Sequence, residues 1–313
     1  MSTMMGTLDF LEADVAIEIP REPSATRTVG ATGRLCRQLE ASYPYLTGLF
    51  GSAPWIDALK ATYGFDIRAS VTSRGEEIDA AILFAEVEDI RGRRVLSLPF
   101  SDYLDPLTRS MSDWRGVVDP LMELGQPIRF RCLHNDKAAS DPRFERRAAA
   151  LWHAADLTAD EETLWARLGG SAHRNIRKAQ ENGLVIREGR SLQDVATFYE
   201  LHFGVRKNKY RLFAQPFAFF ENLYGAFAPE GRIVTMLAEL DGVAVAGILF
   251  LIHGSTLYYK FNASNDLRFR PNDLLVWHGM QFGKRRGLTR LDFGLSDIGQ
   301  PGLVRFKQKF ATE

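Results

Sequence analysis

LDFGLSDIGQPGLVRFKQKF, from Leu291 to Phe310, carries a strand that reaches Asp292, a loop broken by glycines, and an Arg305-Phe306-Lys307 triplet on the last structured segment. Read as a closing strand, GLVRFKQKF puts Arg305 and Lys307 on one face, because side chains two apart point the same way. A carboxylate and two cations then meet at the end of a sheet. Working backward, residues 289–293 read as a strand, 273–286 as a helix, and 243–252 and 256–262 as two strands. Before them, 231–240 is strand-like and Asp241-Gly242 is a hairpin turn signal.

The first half repeats this order. A helix over 55–63 leads to strands near 65–71, 78–87 and 94–98, a helix over 112–124, and a strand over 128–132 after the break at Gly125 and Pro127. Ala80-Ala81-Ile82-Leu83-Phe84 answers Ala246-Gly247-Ile248-Leu249-Phe250, each after a charged turn and before another strand. LSLPFSDYLDP, from Leu96, then takes the place of LYYKFNASND, from Leu257. The expectation is an α/β (α+β) chain of two duplicated units, 1–157 and 158–313, each a mixed, mostly antiparallel sheet flanked by helices.

Composition narrows the function classes. With 45% hydrophobic and 25% charged residues, 313 residues can bury full cores without disulfides or metals. Cys36 and Cys132 form no CxxC pair, which points to a reducing, cytoplasmic setting. Six histidines show no HExxH or paired spacing, and no GxSxG elbow, P-loop or GxGxxG turn is present. The N-terminus lacks a signal-peptide pattern, and no run approaches the ~18 apolar residues of a membrane span. Net charge is zero, split as −4 over residues 1–155 and +4 over 156–313, which favours the second half for an anionic substrate.

Between the halves, Thr158 with Glu161 has capping-box spacing for a helix to Leu168, and Ser171 is placed to cap a second helix running to Gly183. On that second helix Arg174, Arg177 and Lys178 share a face, which is either a solvated surface or a phosphate grip. Arg206, Lys207, Lys209 and Arg211 form a compact cationic loop ahead of Pro216 and a phenylalanine-rich helix, suited to a phosphate or a sugar-nucleotide diphosphate. The stretch 20–48 mixes turn formers with a short helical patch and suggests no role.

HRNIRKAQENGL, VRKNKYRLFAQPFAFFENLY, LYYKFNAS with RPNDLLVWHGMQFGKRRGLTRLDFG, and GLVRFKQKF occur in that order between His173 and Phe310. Together they resemble the FemAB family of aminoacyl and acyl transferases, a branch of the GNAT superfamily. The resemblance implies a tandem GNAT fold that transfers an acyl or aminoacyl group to an amine. In cell-wall members the donor is an aminoacyl-tRNA and the acceptor a peptidoglycan precursor, and other members are thought to use acyl-CoA. It also implies a catalytic role for the lysine of the closing FK motif, here Lys307.

Physical chemistry gives these residues work. Aminolysis of an ester or thioester develops negative charge on the carbonyl oxygen, which a preorganised cation such as Lys307, with Arg305 nearby, stabilises by ~3 kcal/mol. The attacking amine must lose a proton, for which Asp292, at a strand end, is the candidate acceptor. Asp297, in the following loop, is a candidate with it for that task or for orienting the amine. Of Tyr258 and Tyr259 only one can face a pocket, and Tyr259 is assigned to substrate. Arg268-Phe269-Arg270-Pro271-Asn272-Asp273 lacks the glycines with which GNAT proteins cradle the CoA pyrophosphate, although Arg268 and Arg270 can still bind phosphates by side chain, and Arg270 is assigned to that task. That gap argues against a standard acetyl-CoA enzyme, while a neutral chain is unlike an RNA binder, so the donor stays open between acyl-CoA and aminoacyl-tRNA. No tightly bound cofactor and no DNA partner are expected. A non-catalytic module that binds a nucleotide-linked envelope precursor is the alternative.

Overall fold

A computed structural model of the chain describes residues 24–43 and 47–313. Residues 1–23, which include the terminus searched for a signal peptide, and 44–46 lie outside the described residues, and both segments take part of the stretch 20–48. The first unit comprises β1 (Ala25–Gly30), α1 (Gly33–Ser42), α2 (Ala53–Tyr63), β2 (Asp66–Arg74), β3 (Glu77–Asp89), β4 (Gly92–Leu96), α3 (Met111–Met122), β5 (Ile128–Arg129) and the short α4 (Lys137–Ser140). The second comprises β6 (Ala150–Asp156), α5 (Glu161–Arg167), α6 (Gly170–Glu181), β7 (Val185–Gly189), α7 (Leu192–Gly204), α8 (Phe217–Phe227), β8 (Ile233–Leu240), β9 (Val243–His253), β10 (Thr256–Ser264), α9 (Pro271–Arg285), β11 (Arg290–Asp297) and α10 (Pro301–Gln308).

The duplication is visible in the strand order. One sheet runs β1-β2-β3-β4-β5 and the other β6-β11-β10-β9-β8-β7. In both, neighbours are antiparallel except one parallel pair, β4 with β5 and β10 with β11, each joined through a helix, α3 or α9. The quoted pentapeptides occupy β3 and β9. Ala80, Ile82 and Phe84 face α3, as Ala246, Ile248 and Phe250 face the α6 and α9 side. Their other faces, with Ala81 and Leu83 against Leu249 and Leu251, close on a third core shared between the units, which α2 and α8 fill with Trp55, Phe219 and Phe220. Burial on both faces explains why these strands read as unbroken apolar runs.

One position breaks the repeat for a packing reason. Ala81 answers Gly247, where a Cβ would come within 2.9 Å of Leu237, 3.0 Å of Phe198 and 3.1 Å of the Met236 carbonyl oxygen. Gly247→Ala is therefore expected to cost roughly 1–3 kcal/mol in urea unfolding. Phe198→Leu should recover part of that loss.

Four expectations need correction. The terminal segment is a helix, α10, and not a strand: β11 already has β6 and β10 on its two sides, so no edge is left beside it, and Pro301 is pre-set for a first helical turn. The first linker helix is capped by Asp160, whose side chain accepts the Thr163 N–H, while Thr158 donates to Asp156. The second is capped by Gly169 rather than Ser171. β5 stops at Arg129, so Cys132, half-buried, lies in the loop beyond it. β6 also hydrogen-bonds to β11, so the second sheet draws on residues ahead of position 158.

Candidate active site

The parallel pairing of β10 with β11 runs only from Thr256 opposite Arg290 to Tyr258 opposite Asp292. Past that point the strands part, and both are irregular there: β10 shifts register at Tyr259/Phe261 and β11 at Asp292/Leu295. Gly294 makes the second bulge, with φ of 67°. A Cβ on it would come within 2.7 Å of Asp102 Oδ2. The glycine of the Asp-Phe-Gly run thus serves a left-handed turn and a close approach at once.

Into the gap reaches the loop that follows β4 in the first unit. The Tyr103 hydroxyl donates to Asp292 Oδ2 at 2.8 Å, and the Gly294 N–H donates to Asp292 Oδ1 at 2.5 Å. Lys260, at the β10 bulge, donates to Asp102 Oδ1 at 3.1 Å, and its ammonium lies 4.7 Å from the Phe50 ring centroid and 5.0 Å from that of Trp55. From α10, Lys307 donates to the carbonyl oxygens of Leu295 at 2.8 Å and Gly294 at 3.4 Å. The backbone turned outward by the β11 bulge is what holds this ammonium.

Burial sets the proton affinities. Asp292 is 2% exposed, and loss of solvent pushes its carboxyl above the usual carboxylate range, against the lowering effect of the Tyr103 and Gly294 hydrogen bonds. Lys307 is 4% exposed, and burial pulls it down to about 8, although the nearby charges of Asp102 and Asp292 act in the opposite direction. Burial likewise raises the phenols of Tyr103 and Tyr258, which stay protonated at neutral pH. Asp102 is the wet side of the cluster, its side chain 36% exposed.

Of the residues singled out from the sequence, Lys307 and Asp292 come together. Arg305 does not join them: on a helix, positions two apart diverge by about 200°, and Arg305 is exposed. It lines a hollow of about 500 Å³ with Gly169, Ser171, Gly302, Phe306, Gln308 and Lys309. Arg174 and Arg177 lie on the solvated face of α6, and Arg270 is the exposed residue that begins α9. Arg206 and Lys207 belong to a turn of π-helix, Val205–Tyr210, which Arg211 ends. Tyr259 packs on Phe250 and Phe293 in the outer core, and its neighbour Tyr258 faces the carboxylate cluster. Asp297 is exposed at the end of β11.

Asp102, Tyr103, Tyr258 and Lys260 were not selected from the sequence. The signal for the first two was the equivalence of LSLPFSDYLDP with LYYKFNASND, which places both runs where a sheet opens.

Residues 166–308 match the family model described as an acetyltransferase (GNAT) domain. No curated protein matches the chain in sequence. Among solved structures, FemX is 14% identical, with 91% of this chain and 94% of that one covered at a TM-score of 0.68. A tandem GNAT protein from the clavulanic acid biosynthesis pathway is 10% identical over 92% and 94%, with a TM-score of 0.57. The C-terminal domain of a putative lysylphosphatidylglycerol synthetase from Agrobacterium fabrum is 14% identical over 88% of each chain, with a TM-score of 0.53. At these identities the likeness is one of fold.

Proposed function

We propose that this chain, whose residues 166–308 match an acetyltransferase (GNAT) domain and whose fold is similar to that of FemX, is a FemAB-like N-acyltransferase working where β10 and β11 part. It moves an acyl or aminoacyl group from an ester or thioester to an amine on a cell-envelope or sugar-nucleotide precursor. The observation that carries this reading is the buried Lys307 ammonium, fixed by two backbone carbonyls beside the buried Asp292. In a site with little water, a fixed cation is worth far more to a developing oxyanion than the same cation in solution.

In the reaction, the amine nitrogen attacks the acyl carbon and the oxyanion forms against Lys307. Asp292, whose raised proton affinity suits it to accept, takes the proton from the attacking nitrogen. The C–O or C–S bond then breaks, the C–N bond remains, and the proton passes to the departing oxygen or sulfur. Tyr103 holds the carboxylate, and substrate approaches from the side of Asp102. Arg174, Arg177, Arg270 and Arg305 are the candidate grips for phosphates of donor or acceptor.

The start of α9 is poorly suited to a CoA pyrophosphate: Pro271 has no N–H to offer, and the first-turn carboxylate of Asp273 is buried and paired with Lys309. Acyl-CoA and aminoacyl-tRNA donors, each supplied to the purified protein with amine acceptors, decide between carriers. Absence of turnover with every donor class rejects the reading.

The charged form of Lys307 is the one that helps, and it is lost as pH rises through about 8. kcat/KM measured against pH is therefore expected to fall above about 8. In Lys307→Arg the residual activity should lack that alkaline limb, since a guanidinium stays charged.

A second reading has its own support. Lys307 braces the bulge carbonyls and Asp292 caps the Gly294 N–H, so both have structural tasks that a precursor-binding module would also need.

A further inference from the structure

The turn that follows α7 presents apolar side chains to water. Phe213 is 98% exposed and Leu212 54%, with Tyr210 and Phe203 also exposed beside them. Isolated exposed apolar residues are unremarkable, but four within eleven positions form a patch that calls for a partner.

The display is built. The Leu212 N–H donates to the Arg206 carbonyl at 3.0 Å, and the Arg206 guanidinium returns to the Phe213 carbonyl at 3.2 Å. Arg211 sits in the left-handed region, with φ of 53°, a strained conformation for a residue with a side chain. His202 bonded to Gln215 at 3.0 Å ties the base of the turn. The π-helical turn Val205–Tyr210 widens the backbone there, a feature often found at functional sites. These contacts point Leu212 and Phe213 away from the body of the protein.

Charge identifies the partner's sign. Arg206, Lys207, Lys209 and Arg211 lie within the same turn, and no acid occurs between Glu200 and Glu221. The Lys207 and Lys209 ammoniums lie 5.7 Å from the Phe203 and 5.4 Å from the Tyr210 ring centroids, so the cations ride on the apolar groups. We infer that this turn is a docking surface for an anionic lipid bilayer, with Leu212 and Phe213 entering the headgroup boundary and the four cations facing lipid phosphates. One observation favours a bilayer over RNA. The chain as a whole is neutral, without the broad basic footprint that RNA binding uses.

This inference does not depend on the transferase reading. The test is co-sedimentation of the full chain with vesicles of phosphatidylcholine, with and without phosphatidylglycerol, over a range of salt. Binding is expected only with phosphatidylglycerol present, weakening as salt rises. Phe213→Ser, at a site too exposed to affect folding, and the double variant Lys207→Glu/Lys209→Glu should each weaken it by about tenfold or more. Unchanged thermal melting confirms that the variants are folded. No sedimentation with anionic vesicles, or binding indifferent to Phe213→Ser, overturns the proposal. So does tRNA binding that the charge reversals abolish while vesicles stay unbound.

Discussion

Lys307→Ala is expected to lower kcat/KM by about 10²–10³ while the protein stays folded. The size follows from what is removed: one preorganised cation at a water-poor site, with no second cation among the described residues in position to replace it, since Arg305 is on the far side of α10. Lys260 is engaged by Asp102 and the Phe50 and Trp55 rings. Stability separates catalysis from bracing. Burial lowers the Lys307 proton affinity relative to the unfolded chain, so between about 8 and 10.5 the unfolded state binds the extra proton and stability rises with pH. Below that window the folded state bears the cost of a buried charge. Lys307→Met relieves that cost, and its urea midpoint at neutral pH should hold or rise. A fallen midpoint with activity intact would instead make Lys307 a brace for the β11 bulge.

The fold was legible where periodicity and repetition acted together. The pentapeptides in β3 and β9, the Asp241-Gly242 turn and the helix leading to β11 all depend on local pattern, and all were found close to where the sequence put them. The closing segment was misread because its conformation is decided at long range. Nothing within GLVRFKQKF reveals that β6, about 150 residues earlier, holds the sheet edge that a final strand would need. The same distance explains the half-read site. Asp292 and Lys307 stand in one motif, whereas Tyr103 and Asp102 arrive from the other unit across the shared core. Choosing Tyr259 over Tyr258 required knowing which face of β10 turns toward that unit, and alternation alone leaves both faces open.

Asp292→Asn is expected to cut kcat/KM by about 10²–10⁴ with little or no loss of stability. The amide keeps the shape of the carboxylate: its oxygen can accept the Gly294 N–H, and its NH₂ can donate to the Tyr103 oxygen once that hydroxyl rotates. What disappears is the negative charge and the ability to take a proton. Because burial raises the Asp292 proton affinity above its unfolded value, the folded state holds the proton more tightly, and stability falls as pH rises through the folded value. The asparagine variant should lose that descent and match or exceed the parent at neutral pH. Asp292→Ala is the contrast, since it leaves the Gly294 N–H and the Tyr103 hydroxyl without their acceptor, at roughly 1–3 kcal/mol each. The pair of variants therefore divides the residue's two tasks. If Asp292→Asn keeps full activity while Asp292→Ala unfolds at lower urea, the carboxylate is a fastener between the units, and the proton must be taken elsewhere. Asp102, on the wet side of the same cluster, is then the next group to replace.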